Sequence, residues 1–162
     1  MTDKIRVDSE RAEKAQFSLI DPDSRVNFDS VTSVCVLAFT KNESNLVVVL
    51  LKRGLDIPGG HVTIDDDTLE TTARREAMEE AAISLGSPIL IGYLESNALK
   101  DTVGTTHIAM VAAMVEEIHL FDHRCDAIDR QILSPEDFLK EYRGDSLLMQ
   151  ELIRRAQLAL AL

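Results

Sequence analysis

Two apolar runs stand close together in the first third of the chain. Val31 to Phe39 reads VTSVCVLAF and Leu46 to Arg53 reads LVVVLLKR. Both are rich in β-branched residues and hold few charges, the pattern of strands buried on both faces. KNESN (41–45) separates them as a turn, so 31–53 predicts a hairpin with a longer loop. From Gly54 the backbone is punctuated by Pro58, Gly59 and Gly60, which predicts a sharp bend.

From Thr68 to Leu85 the period changes. Leu69, Ala73, Ala77 and Ala81 recur every four residues. That is a helical stripe, and its small side chains would let the helix lie close to a sheet. Asp67 or Thr68 can cap its start, and Gly86 followed by Pro88 can stop it. PILIGYLES (88–96) and THIAMVAAMVEEI (106–118) again read as strands. SPEDFLKEY (134–142) opens with a serine cap, a proline and two acids, the signature of a helix start. DSLLMQELIRRAQLALAL (145–162) has an apolar helical period to its end. Strands, helix, strands and helices in that order predict a mixed sheet with helices on its faces, of α/β or α+β class.

Composition narrows the function more than the fold. A chain of 162 residues suits one domain spanning 1–162. The N-terminal segment 1–28 can be flexible, and its first sixteen residues can form a short charged helix or be partly disordered. No apolar run approaches the roughly 20 residues of a membrane helix, and the charged N-terminus lacks the apolar core of a signal peptide. These features predict a soluble, cytoplasmic protein. Its net charge of −11 disfavours long nucleic acids as partners. It does not exclude a small phosphorylated substrate held through cations. Cys35 and Cys125 do not make a disulfide framework, and Cys35 reads as a small core hydrophobe.

The charge is distributed unevenly. REAMEEAA (75–82) puts Glu76, Glu79 and Glu80 within five positions of the predicted helix, with no lysine among them. Glu76 and Glu80 share a face beside the alanine stripe, and Glu79 flanks them. A solvated acidic face explains most such runs. Arg75 can pair with Glu79 at i,i+4 but cannot compensate three acids. A hard divalent cation could, since magnesium prefers oxygen ligands.

The spacing from the glycine turn sharpens this. PGGHVTIDDDTLETTARREAMEEAAI (58–83) resembles the signature of the Nudix hydrolases, GX5EX7REUXEEXGU, where U is a bulky aliphatic residue. Gly60 matches the opening glycine, and Arg75 to Ile83 match the second half. Counting back from Arg75 places Asp67 at the first glutamate. Gly60 to Arg75 holds one residue more than the pattern, which reads as an insertion in the loop HVTIDDD. Ala82 stands for the glycine and is expected to continue the helix.

The resemblance implies the Nudix fold, a mixed β-sheet sandwiched between helices. It also implies metal-dependent hydrolysis of a nucleoside diphosphate linked to another moiety: a nucleoside triphosphate, ADP-ribose or a nucleotide sugar. Water would attack a phosphorus of the diphosphate. Carried over residue by residue, it makes Glu76, Glu79, Glu80 and the carbonyl of Gly60 the ligands of Mg²⁺ or Mn²⁺. Arg75 would orient the glutamates. The general base could be Glu76 or Glu79, or an acid of the later loop: Glu116, Glu117, Asp122, Asp126 or Asp129. A non-catalytic nucleotide-binding regulatory module is the alternative, although such modules typically lose box glutamates and this chain keeps them.

Other residues carry weaker signals. His119, His123 and Cys125 could suggest zinc but lack a second cluster, so a polar loop is the simpler reading. Lys52 and Arg53 can reach a phosphate or merely solubilise a strand end. His61 can line a site or be structural, and His107 could point either way. Base stacking would have to use Phe28, Phe39, Tyr93, Phe121 or a neighbour. The charged N-terminal segment and the apolar face of the last helix could each serve a homodimer or pack on the domain.

Overall fold

The computed structural model describes residues 3–6, 16–98, 101, 103–123 and 125–162. The elements run β1 (Asp3–Arg6), β2 (Gln16–Ile20), β3 (Val31–Phe39), β4 (Leu46–Leu51), β5 (Gly54–Asp56), β6 (Gly59–His61), α1 (Leu69–Ala81), β7 (Ile83–Leu85), β8 (Ile89–Ser96), β9 (Thr106–Ile118), β10 (Asp129–Leu133), α2 (Pro135–Glu141) and α3 (Ser146–Leu160). The strands form a mixed sheet in the order β1-β2-β8-β9-β3-β4-β10, with β5, β6 and β7 pairing onto β4, β3 and β9. The β3–β9 pair is parallel and the other pairings are antiparallel.

Alternation along β3 builds both cores. Val34, Val36 and Ala38 face α1, where Ala73, Ala77 and Ala81 are fully buried, as the four-residue stripe predicts. Leu37 and Phe39 face the other way, onto Phe138 of α2 and Leu148, Met149, Leu152 and Ile153 of α3. Side chains of successive strand residues point to opposite faces, so one continuously apolar strand feeds two cores. The fold is α+β, a sheet between α1 on one face and α2 with α3 on the other.

The β3–β4 hairpin is short. Only Ala38↔Val47 and Phe39↔Leu46 pair before the strands part. β3 then takes β6 as its neighbour (Ser33↔His61, Val34↔Gly60, Cys35↔Gly59), while β4 goes on to β5 and β10. The glycine turn is therefore built into the sheet.

Three expectations need correction. Asp3–Arg6 is a strand paired with β2, not a charged helix, and Gln16–Ile20 pairs with β8, with Leu19 buried in the second core. Residues 1–2 and 7–15 of that expectation lie outside the described residues. The helix predicted to reach Leu85 ends at Ala81, and Ile83–Leu85 turns back as β7 against β9. Ala82 therefore does not continue the helix. It is the C-cap, in left-handed geometry at φ 51°, ψ 48°, with its N–H bonded to Ala77 O and Met78 O. That conformation favours glycine.

Candidate metal and diphosphate site

The site begins with two glycines pressed between elements. A Cβ on Gly59 would lie 2.6 Å from the Val34 carbonyl oxygen, because β6 runs directly along β3. A Cβ on Gly60 would collide with the Glu76 carboxylate. Pro58 O accepts from Val36 N at 2.8 Å, and Thr32 O accepts from Val62 N at 3.0 Å, fixing the turn at both ends.

Opposite stands α1, capped by Thr68, whose hydroxyl accepts from Thr71 N at 3.1 Å. Of the two caps expected, Asp67 or Thr68, it is the threonine that serves. Glu76 is 8% exposed, Glu80 is half-buried and Glu79 faces solvent. Arg75 ties this region together. Its Nη1 donates to Glu76 Oε1 at 2.7 Å and to Glu79 Oε2 at 3.2 Å. Its Nη2 donates to Asp66 Oδ2 and to the His61 carbonyl, both at 2.8 Å.

The partner of Arg75 in the loop is thus Asp66 and not Asp67, which is exposed. Asp66 also accepts from Thr63 N at 2.9 Å. Hydrogen bonds from Arg75 first, and then from Thr63, hold the Asp66 carboxyl well below the usual carboxylate range. Asp66 lies six residues after Gly60, as the pattern asks. The extra residue therefore falls between Asp66 and Arg75, at the entry to α1.

Among the described residues, no cation is paired with Glu80. Its carboxylate accepts from Gly59 N at 2.9 Å. Burial nevertheless pushes its pKa up, the Gly59 bond opposes the shift, and the charges of Glu76 and Asp56 add to it.

One groove of about 740 Å³ gathers these groups. Gly59, Gly60, Glu76, Glu79 and Glu80 line one wall; His119, Leu120, Asp122, Cys125 and Asp126 line the other. Of the five acids in the later loop, Asp122 and Asp126 line it, while Glu116, Glu117 and Asp129 do not. Among the described residues, no three acidic, histidine or cysteine groups converge closely enough to enclose a metal ion. The carboxylates are instead engaged by Arg75 and Gly59. The donor chemistry still fits a hard cation: oxygen ligands on one helix, with a half-buried Glu80 whose charge is only partly offset by the Gly59 N–H.

The remaining candidates separate clearly. His119 bonds through Nε2 to Ser84 Oγ at 2.7 Å, His123 through Nδ1 to Ile128 O at 3.0 Å, and the Cys125 thiol approaches Glu80 O at 3.6 Å. They face three different partners, so the zinc spacing describes a polar loop. Arg53 pairs with Asp56 at 2.9 Å, and neither it nor Lys52 lines the groove. His61 does line it, with Nδ1 3.2 Å from Ser33 Oγ. His107 is buried elsewhere, between Ser30 Oγ at 2.8 Å and Glu95 Oε2 at 3.1 Å. Phe39 is core, and none of Phe28, Phe39, Tyr93 and Phe121 lines the groove.

A glycine turn held in a mixed sheet and packed against a glutamate-bearing helix forms one wall of an acidic groove in an α+β fold. The sequence profile of the NUDIX domain matches residues 29–155, and the chain belongs to that family. Its fold is similar to that of the Bacillus subtilis pyrophosphohydrolase BsRppH, with a TM-score of 0.75 and 14% identity over 97% of each chain. It is also similar to the NUDIX domain of Shewanella oneidensis NrtR, complexed with ADP ribose, at a TM-score of 0.63 and 19% identity over 87% of this chain and 94% of that one. For the Caenorhabditis elegans Ap4A hydrolase the TM-score is 0.56, at 19% identity over 80% and 98%. At these identities the likeness shows the fold. No curated protein matches the chain.

Proposed function

We propose that this chain is a divalent-metal-dependent hydrolase of nucleoside diphosphate-linked compounds: a nucleoside triphosphate, ADP-ribose or a nucleotide sugar. One observation carries the reading. The Gly59–Gly60 backbone and Glu76, Glu79 and Glu80 line one wall of a groove whose other wall holds Asp122 and Asp126. The family generally uses divalent cations, and the ADP ribose bound by the NrtR domain is a diphosphate of the proposed class.

Glu76, Glu79, Glu80 and the Gly60 carbonyl would hold Mg²⁺ or Mn²⁺. Bound there, the cation would neutralise the diphosphate and make a water more acidic. The protein's own groups do the rest. Arg75 fixes the rotamers of Glu76 and Glu79 through its guanidinium and pins the turn through the His61 carbonyl. A carboxylate accepts the proton of the water as its oxygen bonds to phosphorus and the anhydride P–O bond breaks. Asp122 and Asp126 suit that role by position, since they line the groove opposite the glutamates. The reading takes 1–162 as one unit, acting in the cytoplasm as a monomer or homodimer.

The test is a panel of nucleotides with Mg²⁺, assayed for release of phosphate or nucleoside monophosphate by the wild type and by Glu80→Gln. The expected result is turnover of at least one compound, reduced by about a hundredfold or more in the variant. Turnover untouched by Glu80→Gln would remove the metal assignment.

A second reading is a non-catalytic nucleotide-binding regulatory module. The observation favouring it is that the glutamates are engaged by Arg75 and Gly59 rather than gathered around a common point. Nucleotide binding without turnover of any compound would select it.

A further inference from the structure

Arg130 lies on the edge strand β10, paired in register with Val49 of β4. A basic residue on an edge strand ordinarily reaches for water. This one turns inward and is half-buried. Its Nη1 donates to Ala81 O at 3.0 Å, Ala82 O at 3.3 Å and His119 O at 2.7 Å. Its guanidinium carbon sits 5.8 Å from the centroid of the Phe121 ring.

Those carbonyls belong to two different pieces of the groove. Ala81 and Ala82 end α1, where backbone oxygens have no helical N–H and the helix dipole is negative. His119 begins the loop that carries Asp122 and Asp126. A single cation therefore satisfies the end of the glutamate helix and the root of the acidic loop together. Other ties run beside it. His119 N donates to Ala82 O at 2.8 Å, and the Cys125 thiol approaches Glu80 O at 3.6 Å. In a chain of net charge −11, this guanidinium is directed onto carbonyls at the junction of the two groove walls.

We propose that Arg130 is a positioning residue for hydrolysis: by clamping the loop after β9 to the end of α1, it sets where Asp122 and Asp126 stand relative to Glu76, Glu79 and Glu80. This rests on the hydrolase reading above. Arg130 does not line the groove, and would act through the loop carboxylates.

The experiment compares Arg130→Met and Arg130→Lys with the wild type, using the panel compound turned over best and Mn²⁺. Arg130→Met is expected to lower kcat by about tenfold or more, since small misplacements at a reacting centre are costly. KM should change by less than about threefold, and Mn²⁺ affinity, read by electron paramagnetic resonance, by less than about twofold. Arg130→Lys keeps a cation with donors for the same carbonyls and should recover most of the kcat. In an Asp122→Asn/Asp126→Asn background, adding Arg130→Met should cost nothing further, as expected of groups acting through one another. If kcat in Arg130→Met stays within about twofold of wild type, or if the losses multiply in the combined variant, the clamp has no catalytic role. If Arg130→Met does not fold, Arg130→Gln takes its place in the same comparison. If the wild type hydrolyses nothing in the panel, the hydrolase reading fails by itself and hydrogen exchange decides the clamp. Faster exchange at His119 and Leu120, with Ala73 to Ala81 unchanged, would uphold it; equal acceleration in both would overturn it.

Discussion

Ala82 holds φ at 51° and ψ at 48°, where a Cβ crowds the backbone carbonyl. A non-glycine residue there costs about 1 kcal/mol. Ala82→Gly should therefore stabilise the protein by about that amount, measured by urea unfolding; an unchanged or lowered midpoint would show that the Cβ is not strained. Sequence alone made alanine a plausible helix residue, and only the reversal into β7 exposes its true conformation. Asp66 and Asp67 teach the same point in register. Counting back from Arg75 selects Asp67, counting forward from Gly60 selects Asp66, and the guanidinium chooses the latter. A carboxyl held below its usual range contributes stability that is present above the unfolded pKa of about 4 and lost as pH falls through the folded value. Melting temperature measured from pH 7 down to pH 2 should thus fall less steeply for Asp66→Asn than for wild type; an equally steep fall would show that the Arg75 bond does not hold that carboxyl down. Glu80 has the opposite sign. Its raised pKa favours the neutral form, so its charge detracts from metal-free stability as pH rises above about 4.5. In EDTA at pH 7, Glu80→Gln should melt above wild type, and that gap should close at low pH. A variant that melts lower at pH 7 would show that the Gly59 bond outweighs the desolvation.

At the scale of elements, length decided what could be read. β3 and β9 run 9 and 13 residues, and their apolar patterns alone give their limits. The caps of α2 and α3, Ser134 and Asp145, follow the chemistry of a side-chain oxygen ahead of a helix. β5, β6 and β7 have three residues each, too few for a period, and exist because a neighbouring strand offers its edge. β10 escaped for another reason: Asp129–Leu133 is half polar and sits at an edge, and its Arg130 makes sense only beside the end of α1. The alanine stripe of α1 was legible and is testable. Ala77 is fully buried against the sheet, so Ala77→Leu should cost about 2 kcal/mol by overpacking. Chemical denaturation would show it, and a neutral result would mean that α1 can move away from the sheet freely.

For the whole molecule, charge and ligand are coupled. The helix glutamates repel one another and the chain carries −11 overall, so a cation that binds only the folded state should raise the melting temperature. Adding millimolar Mn²⁺ to EDTA-stripped protein is expected to do so for wild type and much less for Glu80→Gln. Equal shifts in both would place the ion elsewhere on the acidic surface. The groove itself was only half legible. Its glycine and glutamate wall is contiguous in sequence, whereas the facing wall depends on how β9, its loop and β10 are folded back. That difference in origin has a consequence for how such a protein can change. Because β3 passes its edge from β4 to β6, the glycine turn inherits the permanence of the sheet. The loop after β9 is held instead by side chains and single backbone bonds, among them those of Arg130 and His119 at its root. Under the proposed reading, lengthening or replacing that loop would alter both what the groove admits and where Asp122 and Asp126 stand. The wall proposed to hold the cation would resist such change, while the wall proposed to take the proton would follow it.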